Sequence, residues 1–313
     1  MTAPAASPRV LFIGVSTAGS TMMRLFPRWA RELGRPEVAL EGMDLPLDAP
    51  SAAYRAAVER IRRDPLVLGA LITSHKLALM AAARDHIDEL DPLAALCGEA
   101  SSLSKRNGRL IAHAKDPITS GVALAAIATP GYFSRSGGHV LCLGAGGAAT
   151  AIAIGLVRLR DASDRPPRFL AVDRRQDRLE ALRAAIARAD AGGVDFDFRL
   201  HTDARANDTA MASLPRGSLV INATGMGKDL PGSPITGDAT FPLDGAAWEL
   251  NYRGELAFLR QARAQQATRR LRVEDGWLYF LHGWAQVLAE VLAVEIGPER
   301  FARLAHIAEA MRG

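Results

Sequence analysis

The sequence predicts an α/β protein of two domains built on parallel sheets. Three observations predict it. Short apolar runs of strand length alternate with amphipathic stretches of helix length. One strand–helix junction carries the glycine-rich turn Gly144-Ala145-Gly146-Gly147-Ala148-Ala149. The length, 313 residues, suits two domains.

The elements follow in order. Residues 10–14 (VLFIG) form a short apolar run expected to be a buried strand. A helix is expected over 22–33, with Leu25, Trp29 and Leu33 on one face. A second strand is read at 38–45, a second helix at 52–63, and a third strand at 66–73 (LVLGALIT). Residues 128–138 (ATPGYFSRSGG) are rich in Gly, Ser and Pro and read as a turn or linker. A strand at 139–143, the glycine turn and a helix to about Arg160 come next. Then follow a strand at 168–172, a helix at 176–189, a strand at 219–223 and another within 245–252. Two amphipathic helices, 276–292 and 298–311, close the chain and could pack on either half.

Composition narrows the function. Apolar residues make up 49% and charged residues 23%, enough to build a core, which excludes disorder as the main state. The net charge of +4 is mild and the arginines are spread out, so neither a basic stripe nor a nucleic-acid recognition module is present. The opening MTAPAASPRV has no apolar core of a signal peptide. Residues 140–157 carry no charge, but the glycines in their first half fit a buried strand, a turn and a small-residue helix better than a membrane span. The expected location is the cytoplasm, with no membrane or nucleic-acid partner. Cys97 and Cys142 are expected to be buried small residues, and His75 and His113 are not spaced as metal ligands.

The glycine turn fits G-x-G-x-x-G/A in its required strand–turn–helix context. Gly144 makes the tight turn, Gly146 lets a pyrophosphate approach the backbone, and the small Ala149 keeps the helix close to the strand. Helix N-terminal amides then hold the phosphate charge. The next strand ends at Asp173, where a carboxylate normally bonds the adenine-ribose hydroxyls and favours NAD. Arg174 and Arg175 follow, and a guanidinium can bind the extra phosphate of NADP. The cofactor is therefore NAD or NADP, with the carboxylate tilting the reading to NAD. The arginines can equally be a solvated helix start.

Two residues could carry proton chemistry. Lys76, in Thr73-Ser74-His75-Lys76, lies just past the carboxyl end of a strand, where α/β sheets bind ligands. Asp116, in His113-Ala114-Lys115-Asp116-Pro117, could orient that amine, or simply open the following helix.

Taken in order, the segments resemble the shikimate/quinate dehydrogenase family from about residue 13 to residue 296. Ile13-Gly14 with Ser20 is similar to its opening, and Thr73-Ser74-His75-Lys76 to the end of its VTxPHK segment. Gly98-Glu99-Ala100-Ser101-Ser102-Leu103 resembles GAVNTL, Asp116 falls on the aspartate of NTD, and GAGGAA is intact. Asp173-Arg174-Arg175 stands where NRT is common, and Asn222-Ala223-Thr224 resembles NATxxGM. Glu249-Leu250-Asn251-Tyr252 resembles DLVY, and Asp275-Gly276 the closing DG.

The resemblance implies an N-terminal αβ substrate domain (1–119 with 276–313), a Rossmann domain (120–275) and a last helix returning to the first domain. It implies hydride transfer between a nicotinamide and a ring carbon bearing a hydroxyl. Lys76 would act as general acid/base, Asp116 would hold it and the hydroxyl, and no metal would take part. Ser20, Thr73, Ser101, Ser102 and Tyr252 would bind substrate. Gly144 to Ala148, Asp173, Arg174, Arg175, Asn222, Ala223, Thr224, Leu250 and Gly276 would bind cofactor.

Several grip residues depart from the pattern. Met22 replaces the second carboxylate-binding serine and Met23 the proline after it. Ser101 and Ala114 replace asparagines, Lys115 a threonine and Gly283 a glutamine. A site built to bond hydroxyls loses affinity when such partners vanish. The expected substrate is a related hydroxy acid or cyclitol, larger or less polar near Met22, with Lys115 available for a carboxylate. Shikimate dehydrogenase proper, reducing 3-dehydroshikimate with NADPH, is one alternative. A catalytically silent nucleotide-binding regulator is another. The molecule is expected to be a monomer or homodimer.

Overall fold

The computed structural model describes residues 7–159, 161–228 and 230–312. The chain divides into two compact units, Met1–Lys115 with Gly283–Gly313, and Asp116–His282. The residues before Ser7 and Arg160, the expected end of one helix, lie outside the described residues.

The first unit opens with alternating strands and helices. β1 (Arg9–Gly14), α1 (Thr21–Glu32), β2 (Ala39–Asp44), α2 (Ser51–Arg63), β3 (Val67–Ile72) and α3 (Lys76–Ala83) follow the expected alternation. β1 pairs in parallel with both β2 and β3. The sheet does not stay parallel, as the alternation suggested. After β4 (Glu89–Leu90) and α4 (Pro92–Cys97), β5 (Ser102–Arg106) and β6 (Arg109–His113) form a hairpin, and β5 lies antiparallel to β3. The cause is Asn107-Gly108. Both residues have positive φ (50° and 75°), the turn that matches the twist of a two-residue hairpin. The strand order is β2-β1-β3-β5-β6-β4.

The second unit holds α5 (Asp116–Ile127), α6 (Tyr132–Ser136), β7 (Val140–Leu143), α7 (Gly147–Val157), β8 (Arg168–Asp173), α8 (Gln176–Ala189) and β9 (Asp195–Leu200). α9 (Ala204–Ala212), β10 (Leu219–Asn222), β11 (Ala246–Glu249), α10 (Ala257–Arg269) and β12 (Arg272–Glu274) complete it. The stretch expected to be a plain linker contains α6, bounded by left-handed Gly131 and Gly137. All strand pairs are parallel, in the order β12-β11-β10-β7-β8-β9. The order reverses between β7 and β10, and ligands of such sheets bind outside the strand ends at that reversal. α7 spans only 11 residues, and among the described residues no helix is long and apolar enough to cross a membrane.

α11 (Trp277–Leu292) starts in the second unit and ends in the first, and α12 (Pro298–Glu309) belongs to the first. α12 packs on α1: the Trp29 indole donates to the Leu304 carbonyl at 3.0 Å, and Trp29 is fully buried. Phe12 of β1 meets Trp284 edge-on at 5.0 Å. These contacts tie α12 and the later part of α11 to the first unit.

Candidate active site

The second unit gathers its candidate cofactor residues at the carboxyl ends of β7, β8 and β10. Gly144 has φ +106°, and a Cβ there would stand 2.8 Å from the Ala223 carbonyl oxygen. Only glycine fits, because β10's exit crosses directly over the turn. Ala223 N–H donates back to Leu143 at 2.8 Å. Gly146, the residue before α7, is different: a Cβ there would meet nothing within 4 Å. The protein's own packing does not require glycine at 146. A phosphate lying against the amides of α7's first turn does require it.

Asp173 ends β8 and is nearly buried. Its Oδ2 accepts the Ala145 N–H at 2.8 Å and its Oδ1 the Arg175 N–H at 2.9 Å. The carboxylate thus pins the glycine turn to the end of β8. The Arg175 guanidinium is paired with Asp177, whereas the Arg174 side chain stands at the exposed surface. Cys142 and Cys97 are free and buried, as expected, and burial raises the Cys142 pKa.

Next to the turn lies a buried polar network. Asn222 Nδ2 donates to Glu249 Oε2 at 2.7 Å, while Asn222 Oδ1 accepts from the Thr224 N–H and hydroxyl. Asn251 gives Glu249 Oε1 both its backbone and its side-chain N–H, at 2.8 and 2.7 Å. Glu249 is fully buried, and burial pushes its pKa up to about 7 against these three donated bonds. Gly276 is required where it stands, since a Cβ would fall 2.0 Å from the Leu250 carbonyl oxygen. Tyr252 stacks on Phe280 at 4.1 Å, with Trp277 beside it.

The first unit presents Lys76 as the first residue of α3, shortly after β3 ends. Its carbonyl accepts the Ala100 N–H, which sets α3's start against residues 100–101. His75 is no rival base. Its ring is buried, with Nδ1 2.9 Å from the Tyr54 hydroxyl and Nε2 3.0 Å from the Leu45 carbonyl, and burial lowers its pKa.

The expected substrate-gripping hydroxyls largely serve their own backbone. Ser20 caps α1 by accepting the Met22 N–H. Thr73 donates to the Ile13 carbonyl at 3.2 Å. Ser101 donates to the His113 carbonyl at 3.1 Å and accepts the Lys115 N–H at 2.6 Å. Ser102 is fully buried and its Oγ makes no hydrogen bond among the described residues. Met22, expected to give the substrate a less polar wall, is wholly buried, because it faces inward from α1. Lys115 is 3.3 Å from Glu290, so its ammonium already has a carboxylate.

Asp116 opens α5 in the second unit and is nearly buried. The hydroxyl of Tyr279 donates to its Oδ2 at 3.1 Å. Sequence reasoning missed this tyrosine, 163 residues from Asp116, and the bonds of Asn251 to Glu249, because the sequence does not show that Glu249 is buried.

No protein-family model matches the chain. It is 30% identical to a shikimate dehydrogenase (NADP(+)) of Symbiobacterium thermophilum over 220 residues, 69% of this chain and 68% of that one. A quinate dehydrogenase from Corynebacterium glutamicum in complex with NAD has the same fold, with a TM-score of 0.69 at 18% identity over 97% of this chain and 99% of that one. A shikimate 5-dehydrogenase from Thermus thermophilus, in complex with NADP(H) and shikimate, gives 0.65 at 25% identity over 96% and 99%. The two units, the dinucleotide turn and these relatives together define a nicotinamide-dependent dehydrogenase. The chain belongs to the shikimate/quinate dehydrogenase family.

Proposed function

We propose that the protein interconverts a secondary alcohol and a ketone on a shikimate-like hydroxy acid or cyclitol, with Lys76 as general acid/base and Asp116 as its partner. The observation that carries this reading is the glycine turn at the reversal of a fully parallel sheet, where Gly146 leaves open the space that a phosphate would fill.

The residues that would hold the dinucleotide are Gly144 to Ala148 around its pyrophosphate, Asp173 and Arg174 near the adenine ribose, and Asn222 to Thr224, Leu250 and Gly276 toward its other end. When bound, the nicotinamide supplies hydride transfer. The chain's own residues supply the rest. Lys76 takes the hydroxyl proton in oxidation and returns it in reduction. Asp116 orients the reacting hydroxyl. Proton transfer of this kind is worth about 10² to 10⁴ in rate.

Asp173 alone tilts the choice to NAD. Yet both its oxygens already accept backbone N–H groups, and Arg174 stands exposed beside it. A carboxylate so engaged repels a 2′-phosphate less, so NADP is accepted as well.

The substrate reading rests on hydroxyls that are missing or already bonded. With Met22 in the core and Lys115 on Glu290, the change lies in lost polar contacts and not in a new apolar wall.

A screen of shikimate, quinate and other cyclitols and hydroxy acids with NAD and NADP, followed by nicotinamide absorbance, tests the proposal. Turnover is expected with a substrate other than shikimate. Lys76→Ala should lower kcat by about 100-fold or more while dinucleotide binding persists. Efficient shikimate oxidation would overturn the substrate assignment. Tight dinucleotide binding with no turnover on any substrate would favour the silent regulator.

A further inference from the structure

Asp116 is a nearly buried carboxylate at the first position of α5. A carboxylate in that setting can rotate about its last bond, and its direction decides which group each oxygen meets. The Tyr279 hydroxyl fixes that rotation by donating to Oδ2 at 3.1 Å. The phenol is itself held in place. Its ring stands edge-on to Trp248 of β11, with centroids 5.8 Å apart and planes at 84°, and Trp248 is buried. Edge-to-face packing of this kind fixes ring orientation. A charge-assisted hydrogen bond from an oriented donor is about twice as strong as a neutral one.

We infer that Tyr279 is a positioning residue of the proton-transfer machinery, holding the Asp116 carboxylate through Oδ2 and so setting the direction of Oδ1. This rests on the role proposed above for Asp116. The sequence context is consistent with it. The family's glutamine is missing at Gly283, and Tyr279 lies one helical turn before it on α11. A hydroxyl of this chain's own thus serves a site that has lost an amide.

The test is a double-mutant cycle of Tyr279→Phe and Asp116→Ala, read in two ways. Phenylalanine keeps the ring against Trp248 and removes only the hydroxyl. In turnover, Tyr279→Phe should lower kcat about 10-fold with the dinucleotide KM unchanged, and should have no further effect once Asp116 is alanine. In urea unfolding, the two substitutions should be non-additive, a result that needs no activity. Additive unfolding effects, or wild-type kcat in Tyr279→Phe, would overturn the inference. If the wild type turns over nothing, the dehydrogenase reading fails, and the unfolding cycle still decides whether Tyr279 holds Asp116.

Discussion

Two turns in this molecule sit at equivalent places, each following the carboxyl end of a sheet strand and opening a helix. They work by different means. At β7–α7 the backbone does the work: Gly144 lets a neighbouring strand exit pass at contact distance, and a Cβ at Gly146 would meet no atom of the described residues within 4 Å. At β3–α3 side chains do the work. His75 is bonded through both ring nitrogens, Thr73 is bonded to Ile13, and Lys76 follows at the start of the helix. A site made of backbone suits the invariant part of a ligand, a pyrophosphate. A site made of side chains can be altered one residue at a time.

The largest effect should come from the backbone turn, and two glycines separate its structural and ligand-binding duties. Gly144→Ala puts a Cβ 2.8 Å from the Ala223 oxygen in a conformation that L residues rarely adopt. Strain and overpacking together should cost about 4 kcal/mol, a fall in Tm of roughly 10 °C. Gly146 has φ −82°, ordinary for any residue, and open space around its Cβ position. Gly146→Ala should leave Tm within about 1 °C and weaken dinucleotide binding at least 10-fold. Calorimetry with a dinucleotide titration checks both. Equal Tm losses in the two variants would mean that the turn is merely structural.

The contrast also explains what was legible in the sequence. The glycine turn, β8 ending at Asp173 and the strand–helix alternation were readable because each follows from local spacing. The β5–β6 hairpin had a local signal too, Asn107-Gly108, which the reading of strand–helix alternation passed over. The short strands β4 and β12 have two and three residues and no period to detect. The Tyr279–Asp116 bond joins residues 163 apart in the chain, and the Ser101 bonds depend on where β6 ends. Motif matching placed Ser101 among substrate-binding residues because a motif gives position. It does not show whether a hydroxyl is already in use.

Within the second unit, the buried network beside the glycine turn should titrate near neutrality. Glu249 rises from an ordinary 4.5 to about 7 on folding, so the folded state holds a proton that the unfolded chain releases between those values. A raised carboxyl contributes its stability at low pH and loses it as pH climbs through the folded value. The swing should be at most about 3–4 kcal/mol, at 1.36 kcal/mol per unit. The wild-type Tm should therefore fall between pH 5 and pH 8 more steeply than that of Glu249→Gln, which cannot ionise. Parallel Tm curves for the two proteins would show that the carboxyl titrates outside this range.

The smallest effect lies beside the side-chain turn, where β3's Ile72 donates to the Ser101 carbonyl, and decides between two uses of the Ser101 hydroxyl. Its hydroxyl donates to His113 and accepts from the Lys115 N–H. His113's carbonyl keeps a second partner in the Ser101 backbone N–H, so only the Lys115 N–H would be orphaned in Ser101→Ala. An unsatisfied buried donor costs about 1–3 kcal/mol. The variant should lose about 2 kcal/mol in urea unfolding and keep its substrate KM within about threefold. If Ser101 instead grips substrate, the pattern reverses: KM rises by about 10-fold or more and stability barely moves. The hydroxyl has one proton, and the structure shows it directed at His113. A hydrogen bond donated to substrate would have to break that bond, so stability and a donated substrate contact cannot both depend fully on the same hydrogen.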